Sequence, residues 1–306
     1  MTRDELLARI QHDRRMSGED LSGLDLQELD LTGVVFDGVV MKSANLGRAM
    51  LRGAVLHHCD LTGATLAHTD LTQANLSHSD FTNADLTRVE IIGATITGAN
   101  FTKANFKEAD CEGVNFKDAV ITGAMFERTD LSRTVLTGHD LSGMDFTDAD
   151  FRGSQCQGAN LTRAKLIQTN LSQANLQGAT MDGVTATAAD FTGANMASCL
   201  CREAEFGGAC FEQADLRAAD FSSSRMNECR LLESICRQAC FKKADLAYAD
   251  FSHADATAAN FSQSIMTRTN LHRTELVGCI FDGANREAAL ETDQDLAEAE
   301  TWQPVY

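Results

Sequence analysis

Ala64-Thr65-Leu66-Ala67-His68-Thr69-Asp70-Leu71-Thr72-Gln73-Ala74-Asn75-Leu76-Ser77-His78-Ser79-Asp80-Phe81 runs through one pattern again and again: small, polar, large apolar, then two further residues. The large apolar position, here called the centre, recurs without a gap from Leu21 to Phe281, 53 consecutive positions. All sixteen Phe lie in it, and only Ala186 and Ala256 are small. A five-residue period matches neither the 3.6-residue helix nor the two-residue strand. The chain must therefore turn a corner once per repeat.

Two residues before each centre sits a small residue, as at Ala44, Ala49, Ala54, Ala64, Ala74 and Ala84. Residues two apart on extended backbone point to the same side, so this pair faces inward together. Neither position is charged between Leu21 and Gly283, and twenty of the 22 Gly occupy the last position of the repeat, where a tight turn favours a residue without Cβ. Four corners close a square coil of twenty residues. Successive coils would stack about 4.8 Å apart, giving about thirteen coils and a rod on the order of 60 Å long.

Ala74-Asn75-Leu76, Ala104-Asn105-Phe106 and Ala244-Asp245-Leu246 match the motif A(D/N)LXX, and the chain resembles the pentapeptide-repeat family over residues 21–283. The resemblance implies an all-β fold, a right-handed quadrilateral parallel β-helix. The expected organisation is an N-terminal capping helix and lead-in over 1–20, one β-helix over 21–283, and an acidic helix with an aromatic tail over 284–306. The twenty-residue coil places Phe81 with Phe101, then Phe106, Phe126 and Phe146, then Phe221, Phe241, Phe261 and Phe281, in stacked columns of core. His139 and Met144 are too large for the small inward position and are expected to mark a local bulge.

Thr2-Arg3-Asp4-Glu5 reads as a capping box, with Leu6, Leu7 and Ile10 along one face of a helix that covers the first coil. At the other end, residues 286–300 read as an acidic helix. Leu290, Leu296, Trp302, Val305 and Tyr306 are the candidate tail contacts: a flap on the last coil near Ile265, Val277 and Ile280, a dimer contact, or a docking peptide. Family members commonly pair through their C-terminal coils, so the resemblance implies a homodimer. Eight Cys (Cys59, Cys111, Cys156, Cys199, Cys201, Cys229, Cys236 and Cys279) fall at inward positions; Cys210 and Cys240 face outward on opposite sides. No disulfide framework follows, which points to a reducing, cytoplasmic compartment. No signal peptide or membrane-spanning stretch is expected.

The repeat dictates most Ser, Asp and His residues, and no nucleophile motif, P-loop or dinucleotide fingerprint stands apart from it. His58 and His78 should stack with His57 beside them, but a third metal ligand is not evident, and Cys199 and Cys201 read as core. No catalytic residue, metal or cofactor is expected, nor a concave pocket.

The formal net charge is −18, divided as −1 before the repeats, −12 within them and −5 in the tail. One outward column reads Asp70, Glu90, Asp110, Asp130, Asp150, Asn170 and Asp190, preceded by Asp30; the next reads Asn75, Thr95, Asn115, Val135, Gln155, Asn175 and Asn195. Asp and Asn both cap corners, yet stacked carboxylates repel by ~1 kcal/mol per neighbouring pair even in water. Asp70, Glu90, Asp110, Asp130, Asp150 and Asp190 are therefore the candidate anionic interaction face. The expected function is a non-catalytic protein–protein interaction scaffold, with no direct binding to nucleic acid or membrane. Some pentapeptide-repeat proteins imitate duplex DNA and protect DNA gyrase and topoisomerase IV from quinolones or toxins, so the resemblance implies a type II topoisomerase as one partner. Many quinolone-resistance members carry loops that break the register; this chain has none. Met1-Thr2-Arg3-Asp4-Glu5-Leu6-Leu7 ahead of Leu21-Ser22-Gly23-Leu24-Asp25-Leu26 is also similar to segments encoded near type VI secretion loci, which implies an accessory or cargo role.

Overall fold

Each centre opens a β-turn that the next inward residue closes. Ala64 N donates to Leu61 O at 2.9 Å, and Ala164 N to Leu161 O at 2.9 Å. The third residue of these turns takes positive φ, for example Gly63 at 65° and Gln73 at 58°. That conformation marks turns with glycine preferred at this site. After the turn the chain meets the coil twenty residues away. Thr65 N donates to Ala44 O at 2.9 Å and Leu66 N to Asp85 O at 2.7 Å, so each coil is bonded on both sides. The resulting parallel bridges pair residues twenty apart, such as Asp60 with Asp80 and Asp80 with Asn100. The backbone is a β-helix. The computed structural model describes residues 1–301, which fall into two compact units, the first Met1–Gln155 and the second beginning at Cys156.

In the first unit, helix α1 (Arg3–His12) is capped by Thr2 as its sequence predicts. Thr2 Oγ1 accepts from Glu5 N at 3.3 Å and Glu5 Oε2 accepts from Thr2 N at 2.8 Å. Leu6 and Ile10 are buried, whereas Leu7, expected on the same face, is half-buried. Arg3 spans the join by donating to the carbonyls of Asp25 (3.1 Å) and Gln27 (3.2 Å), acceptors that a first coil would otherwise leave open. Strands β1 (Arg15–Ser17), β2 (Val35–Asp37) and β3 (Val55–His57) form a parallel sheet in that order, with Met16, Phe36 and Leu56 in register. Phe81 stacks on Phe101 (4.9 Å between centroids), and Phe106 on Phe126 (5.1 Å), with Phe101 edge-on to Phe106. The register slips at Gly98, whose N donates to Asp118 O, where corner amides such as Arg88 N and Gly113 N meet the residue nineteen positions on. Half-buried His139 places Nε2 3.0 Å from Phe116 O beside this slip, while Met144 is buried.

In the second unit, Phe221, Phe241, Phe261 and Phe281 stack at 5.5, 5.1 and 5.2 Å. Phe261 is fully buried and Phe281 half-buried, so cover is lost towards the end of the repeat. Bridges continue as far as Asn270 with Leu290. The acidic segment is therefore not helical from 286. Arg286 occupies a centre position, yet Ala289 N still closes a turn onto Arg286 O and Leu290 N bonds to Thr269 O. Helix α2 covers only Gln294–Thr301, with Asp293 Oδ1 accepting from Leu296 N at its start. It lies against His253, His272 and Arg273, and not against the expected cover site: Ile265, Val277 and Ile280 remain exposed. Among the described residues no helix is long and apolar enough to cross a membrane.

Candidate functional site

The first unit turns the acidic sequence column into a physical ladder. Asp70 bridges Glu90, Glu90 bridges Asp110, Asp110 bridges Asp130 and Asp130 bridges Asp150. Each Asp caps its own corner through Oδ1: Asp70 accepts from Thr72 N (2.9 Å), Asp110 from Glu112 N (3.1 Å), Asp130 from Ser132 N (2.8 Å) and Asp150 from Arg152 N (2.9 Å). Asn75 and Asn115 cap the adjacent column in the same way, to Ser77 N (3.1 Å) and Lys117 N (3.0 Å). Where a side chain caps the corner, an uncharged amide oxygen serves as well as a carboxylate. Arg52 (3.4 Å) and Arg152 (3.0 Å) pair with the end members Asp70 and Asp150; among the described residues no ion pair reaches Glu90, Asp110 or Asp130. At Asp70, partial burial works to raise the carboxyl pKa, but hydrogen bonds from Thr72 and the Arg52 charge outweigh it and hold the group below its ordinary value.

Asp190, the sixth candidate, lies in the second unit between Asn170 and Cys210, neither of them acidic. Leu290 ends the ladder there and Leu296 lies on α2, both largely exposed. Trp302, Val305 and Tyr306 lie outside the described residues.

The predicted histidine group is present. His58 and His78 stack at 5.2 Å, His57 lies 4.1 Å from His58, and His57 Nδ1 is 3.3 Å from Asp37 Oδ1. A second cluster escaped the sequence. His253 Nε2 is 3.4 Å from Glu300 Oε1, His272 Nε2 is 3.4 Å from Glu300 Oε2, and Arg273 Nη1 is 3.2 Å from Glu300 Oε2. His253 and His272 are nineteen residues apart, in neighbouring columns of adjacent coils, a spacing that could have flagged the pair. Glu300 belongs to the tail, where the repeat register says nothing. Burial works to raise the Glu300 pKa; the hydrogen bond from His272 and the cationic surroundings, Arg273 among them, prevail and lower it.

The expectation of no concave pocket is overturned at this point. Because α2 folds back along the repeat, it leaves a cleft of about 710 Å³ lined by Leu232, Ser252, His272, Leu290, Asp293 and Leu296 among others. The buried thiols are inert in character: burial pushes Cys59 up to about 11 and Cys236 up to about 12, and Cys111 and Cys201 well above the ordinary range.

The family model described as pentapeptide repeats matches in eight copies, spanning residues 20–57, 59–98, 99–138, 130–168, 159–200, 194–235, 209–247 and 244–283. A comparison with curated proteins gives no match. Solved structures similar to this chain include HetL, a pentapeptide repeat protein involved in heterocyst differentiation regulation from Nostoc sp. strain PCC 7120. It shares 21% identity, covering 96% of this chain and 98% of HetL, with a TM-score of 0.23. QnrB1, a plasmid-mediated fluoroquinolone resistance protein, shares 15% identity over 77% of this chain and 92% of its own, with a TM-score of 0.27. Rfr23 from the cyanobacterium Cyanothece 51142 shares 22% identity over 43% of this chain and 97% of its own, with a TM-score of 0.24.

Proposed function

Since this chain belongs to the pentapeptide-repeat family, we propose that it is a non-catalytic interaction scaffold whose working surface is the anionic ladder of the first unit. The observation that carries this reading is the ladder's excess charge. Five acids stack on adjacent coils, and the corner bond that four of them, the Asp residues, make is made one column away by Asn. The repulsion, ~1 kcal/mol for each neighbouring pair, is a cost that folding does not require. A partner with a row of Lys or Arg would remove it on binding and gain association rate from long-range attraction. The right-handed four-sided winding, in about thirteen coils, belongs to the same reading, as does one continuous β-helix over 21–283.

The partner class favoured by this spacing is a protein that ordinarily grips a polyanion, and a type II topoisomerase is the specific case to test. The variant Asp70→Asn, Glu90→Gln, Asp110→Asn, Asp130→Asn, Asp150→Asn keeps every corner acceptor while removing five charges. Purified gyrase and topoisomerase IV should bind the natural chain, weaken steeply as salt is raised, and bind the variant at least tenfold less tightly, with unchanged circular dichroism. A variant that binds either enzyme as well as the natural chain would remove the ladder from the mechanism. If neither enzyme binds the natural chain, the topoisomerase reading is lost. The scaffold reading then rests on whether the same pair of proteins captures another partner differentially.

A further inference from the structure

We propose that His253, His272 and Glu300 form a binding site for one imidazole-preferring divalent transition-metal ion, Zn²⁺ above all, which fastens α2 to the ladder of the second unit. One donor atom from each residue lies within 4.8 Å of the other two, and among the described residues no other group of three meets that condition. Both histidine–carboxylate separations are 3.4 Å. A charge-assisted N–H···O bond closes to about 2.7–2.9 Å, so these two contacts are long for hydrogen bonds and leave room between the groups. Zinc bonds of ~2.0–2.2 Å at a tetrahedral angle place neighbouring donor atoms roughly 3.4 Å apart. Each ring meets a different oxygen of the carboxylate at that distance, His253 facing Oε1 and His272 facing Oε2, so the spacing suits an ion drawn in between the two rings and the carboxylate with a small closure of the group.

The donor types narrow the choice. Two imidazole nitrogens with one carboxylate suit zinc and its first-row neighbours, while calcium and magnesium call for oxygen. Support around the ligands is already in place. Arg273 holds Glu300 Oε2 at 3.2 Å and donates through Nη2 to Ala297 O at 2.8 Å, orienting the carboxylate and tying it to the helix that carries it. His272 is buried and its Nδ1 accepts from Asp293 N at 3.2 Å, so in the metal-free chain the neutral ring carries its proton on Nε2. An ion on Nε2 takes that position, the proton moves to Nδ1, and the Asp293 amide gives up its bond. Loading thus reaches the start of α2 as well as its end.

The test titrates Zn²⁺ into the chelator-treated full-length chain by calorimetry, with Co²⁺ absorption reporting coordination geometry. One ion per chain is expected, with a four-coordinate cobalt spectrum and a shifted Asp293 amide resonance. His253→Ala and Glu300→Gln alter exposed groups and should each weaken binding at least tenfold, while their metal-free melting temperatures stay at the natural value. His58→Ala with His78→Ala removes the other imidazole cluster and should leave the titration unchanged. The proposal is overturned if the natural chain shows no binding at 0.1 mM Zn²⁺, if His253→Ala and Glu300→Gln titrate like the natural chain, or if binding disappears only with His58 and His78.

Discussion

At the scale of single residues, the corner position sets the fold's strictest local demand. Residues as different as Arg48, Tyr248 and Ala188 take positive φ there, alongside most of the glycines. For a residue with Cβ this costs ~1–2 kcal/mol, so the inter-coil hydrogen bonds must hold it in place. Gly143 has open space where a Cβ would go, whereas a Cβ on Gly98 would lie 2.6 Å from His78 Nδ1. Chemical denaturation should therefore find Gly98→Ala costlier than Gly143→Ala, itself near ~1 kcal/mol. His78→Ala combined with Gly98→Ala should bring the added alanine's cost back to the Gly143 level. Equal costs for the two single variants would mean that the imidazole swings aside freely. Ala188→Gly, at φ 54°, should gain up to ~1 kcal/mol, strain relief exceeding glycine's extra unfolded entropy.

At the scale of one coil against the next, the small inward position does more than make room. Thr69 Oγ1 donates to Leu46 O (2.8 Å), Ser79 Oγ to Leu56 O (2.6 Å), Cys199 Sγ to Leu176 O (2.9 Å) and Cys229 Sγ to Phe206 O (3.0 Å). In each case a hydroxyl or thiol reaches the carbonyl of a centre residue 23 positions earlier. That is why Ser, Thr and Cys replace Ala here without leaving a buried polar atom unpaired. Native alkylation at neutral pH should label the three half-buried thiols, Cys210 and Cys240 first and Cys279, whose pKa burial pushes up, more slowly, and all ten only after unfolding. Fast native labelling of Cys199 or Cys229 would show that the coils open locally. The period made the Phe columns and the inward Cys legible in advance, because burial at Leu66 or Phe241 depends only on position within five and twenty. The extent of α2 was not legible. Arg286 breaks the apolar pattern, yet Leu290 still joins the ladder through Thr269, a backbone bond that side-chain chemistry does not announce.

At the scale of the whole chain, a net charge of −18 governs first encounters. Duplex DNA should not be retarded by the protein at physiological salt, since among the described residues the acids outnumber scattered cations that form no row to displace its counterions; a shifted band would reverse the assignment of the anionic face. The ladder from Asp70 to Asp150 could be read from a twenty-residue spacing. The His253–His272–Glu300 cluster could not, because its third member comes from a segment outside that arithmetic. The twenty-residue bridges have one further consequence, for descent. Removing five residues leaves every apolar centre a centre, so the core survives, but all later side chains advance by a quarter of a cycle. With residues 91–95 deleted, Asp110 would meet Asp85 and Asn115 would meet Glu90 across the ladder. Lineages can thus reshuffle which surface chemistries become neighbours while the interior hardly registers the event, and a partner's footprint can be rewritten by a shift of phase without any substitution.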